Sequence, residues 1–295
     1  MEHGAIGVTV GLDGKWAFPY GSERGFTHGF KGWLWCFQPR AFALRTVFAF
    51  KLVAARHLLK QAAGSERDYN GVDEVVAVRP GRPLAAVPPA KRPGALLTDI
   101  GRVMGRTADA LRGFDHPAAH RPFQWSAEEA LEVIAAHAPA VTDPARAALL
   151  RAWQARLAPL AAILPDLRHG VIHNDANDHN VLVADDGRSV SGLLDLGDAI
   201  WSVVVHEVAV AAAYAALGAP DPLAVVRAVA AGFEEIVPLE WRERELLPEL
   251  VALRLATSVA LSAHQAGLAP DDPYLTVSEA PAWALLERLA REDGR

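Results

Sequence analysis

The sequence predicts an α+β protein made of two unequal parts, a large and mostly helical C-terminal lobe over residues 79–295 and a reduced or atypical N-terminal lobe over residues 1–78. Two patterns predict the C-terminal lobe. Apolar residues recur at helical spacing after residue 93, and a short group of β-branched runs interrupts them. The N-terminal part has a different composition, because half of the chain's aromatic residues lie in its first 50 positions.

The helices are indicated by their apolar faces and by the residues that start and stop them. A first apolar face consists of Leu97, Ile100, Met104 and Leu111, and Gly113 is placed to end that helix. Before it, the proline-rich residues 79–93 predict a linker or an extended crossing segment. Later boundaries are indicated by capping residues: Ser126 with Glu129, Asp143 with Pro144, Gly267 and Ser278. The helix that starts at Pro144 is expected to run to about Leu164 with a bend at Pro159.

Three short strands interrupt the helical part. Val171-Ile172, Val181–Val183 and Val190–Leu194 are runs rich in β-branched residues, and a turn signal at 185–187 joins the last two. One polar loop therefore precedes the hairpin and a second polar loop follows it. Because a hairpin brings its ends together, we expect the two loops to lie side by side.

The composition excludes several classes of protein. A net charge of −6 and an isoelectric point near 6.0 offer no basic surface to a nucleic acid, so we expect no nucleic-acid partner. Charged residues interrupt the apolar stretches 43–59 and 203–217, whereas a membrane span needs roughly 20 apolar residues, so no membrane partner is expected. The single Cys36 cannot form an intramolecular disulfide, and the first residues lack a signal-peptide pattern, which together predict a cytoplasmic protein.

The two polar loops carry the residues that are candidates for catalysis and metal binding. The first loop reads HNDANDHN over residues 173–180, and the second reads DLGD over residues 195–198. Asp175, Asn180 and Asp195 can converge there, and phosphoryl transfer needs this set, because a carboxylate orients the attacking hydroxyl and oxygen ligands hold magnesium. A transition-metal site built from the histidines and aspartates of the first loop is the weaker alternative, because no further cluster completes it.

These residues resemble those of a known family. The segments HNDANDHNVLV, GLLDLGDA, HEVAVAAAYAAL and DDPYLTVSEAPAW resemble the aminoglycoside phosphotransferase and choline kinase family, and most closely its hydroxylysine kinases and the phosphotransferase half of class III aminotransferase fusions. The similarity runs from about Val75 to the C-terminus. It implies a protein-kinase-like fold and transfer of the γ-phosphate of ATP or GTP, with Mg²⁺, to the hydroxyl of a small amine or amino acid such as hydroxylysine.

The resemblance assigns roles in the two loops. It implies that Asp175 is the catalytic base, that His173 supports the loop, and that Asn180 and Asp195 are the metal ligands. Asn177 stands where protein kinases carry a lysine, which favours a small-molecule acceptor over a protein side chain and makes Asn177 a candidate substrate contact.

Further acidic residues bear on the substrate. Asp198 matches the second aspartate of the family's D-x-x-D pattern, and with Asp178 it would suit a cationic amine; Asp271 and Asp272 are further candidates. Glu207, early in an apolar helix, is expected to be a buried helper of the catalytic loop, with contact to substrate as the alternative. An aminotransferase is a conceivable protein partner, by analogy with the fusions.

The N-terminal lobe allows two alignments. In one, residues 21–25 form the phosphate loop and Lys51 is the strand lysine; in the other, residues 64–70 form the loop, with Ser65, Arg67 and Asn70 at the nucleotide. The second alignment keeps an Asp and an Asn of the family pattern but leaves no room for a complete lobe. Two hypotheses therefore stand: an active kinase, or a non-catalytic kinase-like protein that binds a small molecule or a partner.

Overall fold

The computed structural model describes residues 81–269 and 278–292, together with three two-residue strands, β1 (Thr9–Val10), β2 (Trp16–Ala17) and β3 (Leu34–Trp35). The residues predicted at the nucleotide lie outside the described residues: Lys51, Ser65, Arg67 and Asn70. Asp271 and Asp272 also lie outside them. Their assignments, like the division of the chain at residue 78, stay predictions.

The strands form small antiparallel sheets. Five further strands follow along the chain: β4 (Arg82–Pro83), β5 (His169–Ile172), β6 (Val181–Val183), β7 (Val190–Leu194) and β8 (Ile200–Val203). One sheet has the order β3-β7-β6-β4, a second pairs β5 with β8, and β1 pairs with β2. The predicted hairpin of β6 and β7 is confirmed, whereas β8 has no counterpart in the sequence prediction.

The hairpin turn follows from its residues. Asp186 accepts hydrogen bonds from the backbone of Arg188 (2.8 Å) and Ser189 (3.1 Å), and Gly187 has a φ of 65°, which favours glycine. The backbone N–H of Leu194 donates to the carbonyl of Asn180 at the other end of the hairpin (2.8 Å). The two polar loops therefore meet at that end, as the sequence predicts.

Eight α-helices occur in the described residues: α1 (Gly94–Leu111), α2 (Ala130–His137), α3 (Pro144–Leu157), α4 (Leu160–Ile163), α5 (Val204–Ala216), α6 (Pro222–Glu234), α7 (Trp241–Leu268) and α8 (Glu279–Glu292). Several boundaries fall where capping residues predict them. The Asp143 side chain accepts from the backbone N–H of Arg146 (2.8 Å) at the start of α3. Pro159, expected to bend one helix, instead separates α3 from α4.

Helix α7 begins at Trp241 rather than near Leu247, where its apolar run starts. Glu240 and Glu243 form a reciprocal capping box there, with the Glu240 N–H donating to Glu243 Oε2 (2.8 Å). The buried Glu243 also accepts from Arg168 Nε (2.8 Å), and Arg168 immediately precedes β5. Helix α7 is thus tied to the strand that leads into the first polar loop.

Helix α7 is also long and apolar enough, by length and composition, to cross a membrane, and within the described residues it is alone in this. Its most apolar window is 72% buried inside the protein. That burial is typical of a core helix, and α7 packs in the core with α5, which is buried over almost all of its length.

The proline-rich stretch is not a free linker. Over residues 81–93 it pairs through β4 with β6 and continues in two short 3₁₀ turns, Leu84–Ala86 and Pro89–Lys91. The guanidinium of Arg92 donates to the carbonyls of Leu84, Val87 and Ala215 at 3.0–3.1 Å. The stretch is therefore fixed against α5, because the half-buried Arg92 satisfies carbonyls from both sides of the contact.

Candidate active site

The first polar loop, residues 173–180, is anchored by a buried carboxylate of helix α5. Glu207 of α5 accepts the backbone N–H of His173 (3.1 Å) and that of Asn174 (3.0 Å), and its side chain is fully buried. Burial raises the pKa of Glu207 to about 7, while the two backbone hydrogen bonds oppose the shift. The expectation that Glu207 is a buried helper of this loop is confirmed by these contacts.

The sharp bend of the loop falls at Asn174. Its φ is 66°, in the left-handed region that asparagine tolerates better than most residues. Its amide nitrogen donates to the carbonyl of Trp125 (3.3 Å), so the bend is also held by the segment before α2.

His173 joins the two polar loops. Its Nε2 lies 2.9 Å from the carbonyl of Leu194, the last residue of β7, and its Nδ1 accepts the backbone N–H of Asp175 (3.2 Å). Burial lowers the pKa of His173 to about 4, so the ring is neutral, and the acceptor at Nδ1 places the ring proton on Nε2. These contacts are those of a residue that supports the loop.

Asp175 lies at the centre of the site. Its Oδ1 accepts from Asn177 Nδ2 (2.9 Å) and from Arg254 Nη2 (3.3 Å), and its Oδ2 accepts from Asn180 Nδ2 (2.7 Å). Burial raises the pKa of Asp175 to about 7, Arg254 opposes the shift, and the charges of Asp198 and Asp195 add to it. A carboxyl group with a pKa near neutrality is suited to general-base chemistry.

Asn177 closes the turn of the first loop. Its Oδ1 accepts the backbone N–H groups of His179 (2.8 Å) and Asn180 (3.0 Å), and its Nδ2 is bonded to Asp175. Both ends of the amide are therefore engaged within the loop, although Asn177 also lines the adjoining pocket. Its predicted contact with substrate stays a prediction.

The second polar loop presents Asp195 and Asp198 beside the first. Asp195 has a φ of 58°, and its Oδ1 accepts the backbone N–H of Gly197 (2.7 Å), which forms a tight turn. Arg121 steadies the loop by donating to the carbonyls of Ala199 (2.9 Å) and Gly197 (3.3 Å). Burial raises the pKa of Asp198, and the charges of Arg254 and Arg121 oppose that shift.

Asn180 and Asp195 could together hold a divalent cation. Asn180 precedes β6 and Asp195 follows β7, so both lie at the open end of the hairpin. There the Asn180 carbonyl accepts the N–H of Leu194, the neighbour of Asp195. Because Asn180 uses its Nδ2 on Asp175, its amide oxygen is the atom left for a ligand. An amide oxygen and a carboxylate fit the preference of Mg²⁺ for oxygen ligands.

The first polar loop does not form the transition-metal site that was the alternative interpretation. Both ring nitrogens of His173 are already engaged, by Leu194 and Asp175. Within residues 81–269 and 278–292, no group of three or more His, Cys, Asp or Glu side chains is arranged to hold a metal ion.

A pocket of about 200 Å³ opens beside Asp175. Its acidic lining includes Asp175, Asp178, Asp198 and Glu279. Its neutral polar lining includes Ser258, Ser262 and Gln265 from α7, with Ser278 before α8. The predicted substrate residues Asp178 and Asp198 thus lie in one pocket with the predicted base, and burial raises the pKa of Asp178.

Several residues of this pocket were not predicted from the sequence, among them Trp125, Tyr214 and Arg254. The sequence did contain a signal for Arg254, because it is an isolated charge in an apolar stretch of α7. Four uncharged residues precede it and at least eight follow it. The contact with Asp175 spans 79 positions of sequence. Trp125 and Tyr214 carry no comparable signal, because aromatic residues are common in any core.

The fold and the site together define a class of protein. A mostly helical lobe with a loop–hairpin–loop unit, and with Asp175, Asn180 and the Asp195 loop at one end of the hairpin, is the arrangement expected of the family that the sequence motifs resemble. The chain belongs to the phosphotransferase enzyme family (APH), which matches residues 74–247. The resemblance seen in the sequence motifs is thereby confirmed.

Curated relatives include hydroxylysine kinases. That of Bos taurus is 30% identical over 223 residues, and that of Mus musculus is 29% identical over 223 residues. Each alignment covers 71% of this chain and 58% of the relative, so the chain spans less than two thirds of the length of the relatives it matches.

Solved structures support the fold. A microcompartment-associated aminopropanol kinase has a TM-score of 0.54 at 16% identity and covers 87% of this chain and 85% of its own. The GDP complex of wild-type aminoglycoside 2'-phosphotransferase-IIIa has a TM-score of 0.52 at 15% identity, covering 91% of this chain and 92% of its own. At these identities the comparison establishes the kinase-like fold and leaves the substrate open.

Proposed function

We propose that the protein transfers the γ-phosphate of ATP or GTP to the hydroxyl of a small amine or amino acid such as hydroxylysine, and that it uses Mg²⁺. The observation that carries this proposal is the convergence of Asp175, Asn180 and the Asp195 loop beside a pocket that is large enough for a small substrate. Phosphoryl transfer depends mainly on positioning and charge stabilisation, so these few groups suffice for the C-terminal half of the site.

Asp175 orients the acceptor hydroxyl and takes its proton as the oxygen attacks the γ-phosphorus, while the bond from that phosphorus to the β–γ bridging oxygen breaks and ADP or GDP leaves. The hydrogen bonds from Asn177, Asn180 and Arg254 fix the carboxylate, so that little reorganisation is needed when the substrate arrives. Asn180 and Asp195 would hold the divalent cation. When bound, that cation neutralises the charge that develops on the phosphate oxygens.

Acidic groups in the pocket support an amine-bearing acceptor. Asp178 and Asp198 line it together with Asp175, and Glu279 is already engaged by Arg146 (3.0 Å) and Trp283 (3.1 Å). An ammonium group near Asp198 or Asp178 would pair with the negative charge of that carboxylate, which is costly to bury without a partner. The names of the relatives agree with such an acceptor, since hydroxylysine and aminopropanol are both amino alcohols.

Two similar solved structures also support the use of a nucleotide and a metal ion. One is an amicoumacin kinase in complex with AMP-PNP and Ca²⁺, and another is a phosphotransferase in complex with GDP. The choice between ATP and GTP depends on the N-terminal residues, so the proposal keeps both nucleotides.

Isothermal titration calorimetry tests the nucleotide part of the proposal. The full chain should bind ATP or GTP in the presence of Mg²⁺, and Asp195→Ala should weaken that binding because it removes a cation ligand. Asp175→Ala should leave nucleotide affinity nearly intact while abolishing turnover. A folded protein that binds neither nucleotide would instead favour the non-catalytic kinase-like alternative.

A further inference from the structure

Arg254 of α7 is a buried cation at the wall of the pocket. Only 3% of its side chain is exposed, and its guanidinium carbon lies 4.4 Å from the ring centre of Trp125 and 5.6 Å from that of Tyr214. Its Nη1 donates to the carbonyl of Trp125 (3.3 Å). Two aromatic rings and one carbonyl therefore fix the plane of the guanidinium before any substrate binds.

This fixed guanidinium is directed at the candidate base. Arg254 Nη2 donates to Asp175 Oδ1 at 3.3 Å, whereas Asn180 holds the other oxygen, Oδ2, at 2.7 Å. The carboxylate is thus held at both oxygens, by its own loop and by a helix distant in sequence. The charges of Asp195 and Asp198 act on Asp175 from the second loop, and Arg254 acts against them.

We infer that Arg254 is a positioning residue for Asp175, which locks the carboxylate of the base to helix α7 so that the base and the α7 wall of the acceptor pocket keep a fixed geometry. The inference rests on the proposed function. Ser258 and Ser262 stand one and two turns further along the same face of α7 and line the same pocket. The acceptor that contacts this face would therefore meet Asp175 in one orientation.

The surroundings require an arginine rather than a lysine. A flat guanidinium can stack against Trp125 and still direct separate N–H groups to the Trp125 carbonyl and to Asp175, whereas an ammonium is a point charge without such a fork. Nε of Arg254 has no hydrogen-bond partner within the described part of the chain, so its position is set by the rings and by its two Nη groups. The buried His206 adds no competing charge, because burial, together with Arg254, lowers its pKa to about 3.

Steady-state kinetics with ATP or GTP, Mg²⁺ and hydroxylysine tests the inference. Arg254→Met should lower kcat about 100-fold, because a small displacement of a catalytic group costs about that much, while the KM for nucleotide changes little. Arg254→Lys should recover part of kcat, since it restores the charge without the fork. A structural defect alone would lower the active fraction and would show as lost folded protein by circular dichroism.

Arg156→Met is the matched control. Arg156 has the same kinds of contact, with Glu249 (3.1 Å) and with the ring of Trp153 (4.9 Å), but it lies outside the pocket lining. Its kcat should equal that of the wild type. If the wild type transfers phosphate and folded Arg254→Met retains its kcat, only the positioning role is refuted.

Two other outcomes are decisive. If Arg254→Met does not fold, folded Arg254→Lys decides, and a kcat equal to that of the wild type would overturn the inference. If the wild type itself transfers no phosphate, the proposed function fails, and the positioning role fails with it.

Discussion

Replacing Gly101 by alanine should destabilise the lobe through one defined contact. A Cβ at Gly101 would lie 1.9 Å from the carbonyl oxygen of Val229 and 2.7 Å from the N–H nitrogen of Phe233, both backbone atoms of α6. The contact is reciprocal, because a Cβ at Gly232 would lie 1.9 Å from the carbonyl oxygen of Thr98 in α1. No side-chain rotation can relieve these overlaps, so the two helices must move apart.

The magnitude follows from two opposing effects. Overpacking of a well-packed core costs about 1–3 kcal/mol and occasionally more, and here the obstacle is backbone. Alanine regains about 0.5–1 kcal/mol relative to glycine in a helix interior. We therefore expect a net loss of about 2 kcal/mol in the free energy of unfolding, which is a large part of the roughly 5–15 kcal/mol typical of a domain.

Urea denaturation followed by circular dichroism measures this loss. Gly267→Ala in the last turn of α7 is the control, because a Cβ there meets nothing within 4 Å. Gly101→Ala should unfold at a clearly lower urea concentration than the wild type, whereas Gly267→Ala should match or exceed it. Equal midpoints for the two alanine variants would refute the close contact between α1 and α6.

Two further predictions concern the site. Glu207 has a folded pKa of about 7, above its usual 4.5, so the stability associated with its protonated form is present below pH 4.5 and is lost as the pH rises through 7. Between pH 4.5 and pH 8, the free energy of unfolding of the wild type should therefore fall by about 3 kcal/mol relative to that of Glu207→Gln, as measured by urea titration. If the difference in free energy of unfolding between the two proteins did not change with pH, the buried carboxylate would be contradicted. Ser258→Leu, which fills the α7 wall of the pocket, should raise the KM for the acceptor at least about tenfold and leave the KM for nucleotide unchanged. An unchanged acceptor KM would place the acceptor elsewhere.

Local chemistry made much of the lobe predictable. Asp143 with Pro144 starts α3 and Pro159 interrupts the helical stretch, because caps and proline act on the residues next to them. The β-branched runs of β6 and β7 and the turn at Gly187 are local signals as well. Since the hairpin brings its ends together, the meeting of Asn180 with the Asp195 loop followed from the same pattern.

Long-range contacts were not predictable in this way. The pairing of β5 with β8, the glycine contact between α1 and α6, and the bond from Arg254 to Asp175 join residues whose separations no periodicity encodes. The proline-rich stretch was expected to be a linker or an extended crossing segment, because proline composition favours extended chain. The half-buried Arg92 that fixes it acts through a carbonyl distant in sequence, that of Ala215. The N-terminal assignments, including Lys51 and Asn70, lie outside the described residues and remain predictions.

Direct observation of phosphate transfer tests the central proposal. The wild type would be incubated with Mg²⁺, ATP or GTP, and hydroxylysine, homoserine or ethanolamine, and the product would be followed by ³¹P NMR. We predict a phosphate ester on the acceptor hydroxyl, formed roughly 100- to 10,000-fold more slowly by Asp175→Asn, which keeps the side-chain shape but not the base. Equal rates for the wild type and Asp175→Asn, or no ester with any of these acceptors from a folded protein that binds nucleotide, would contradict the proposal.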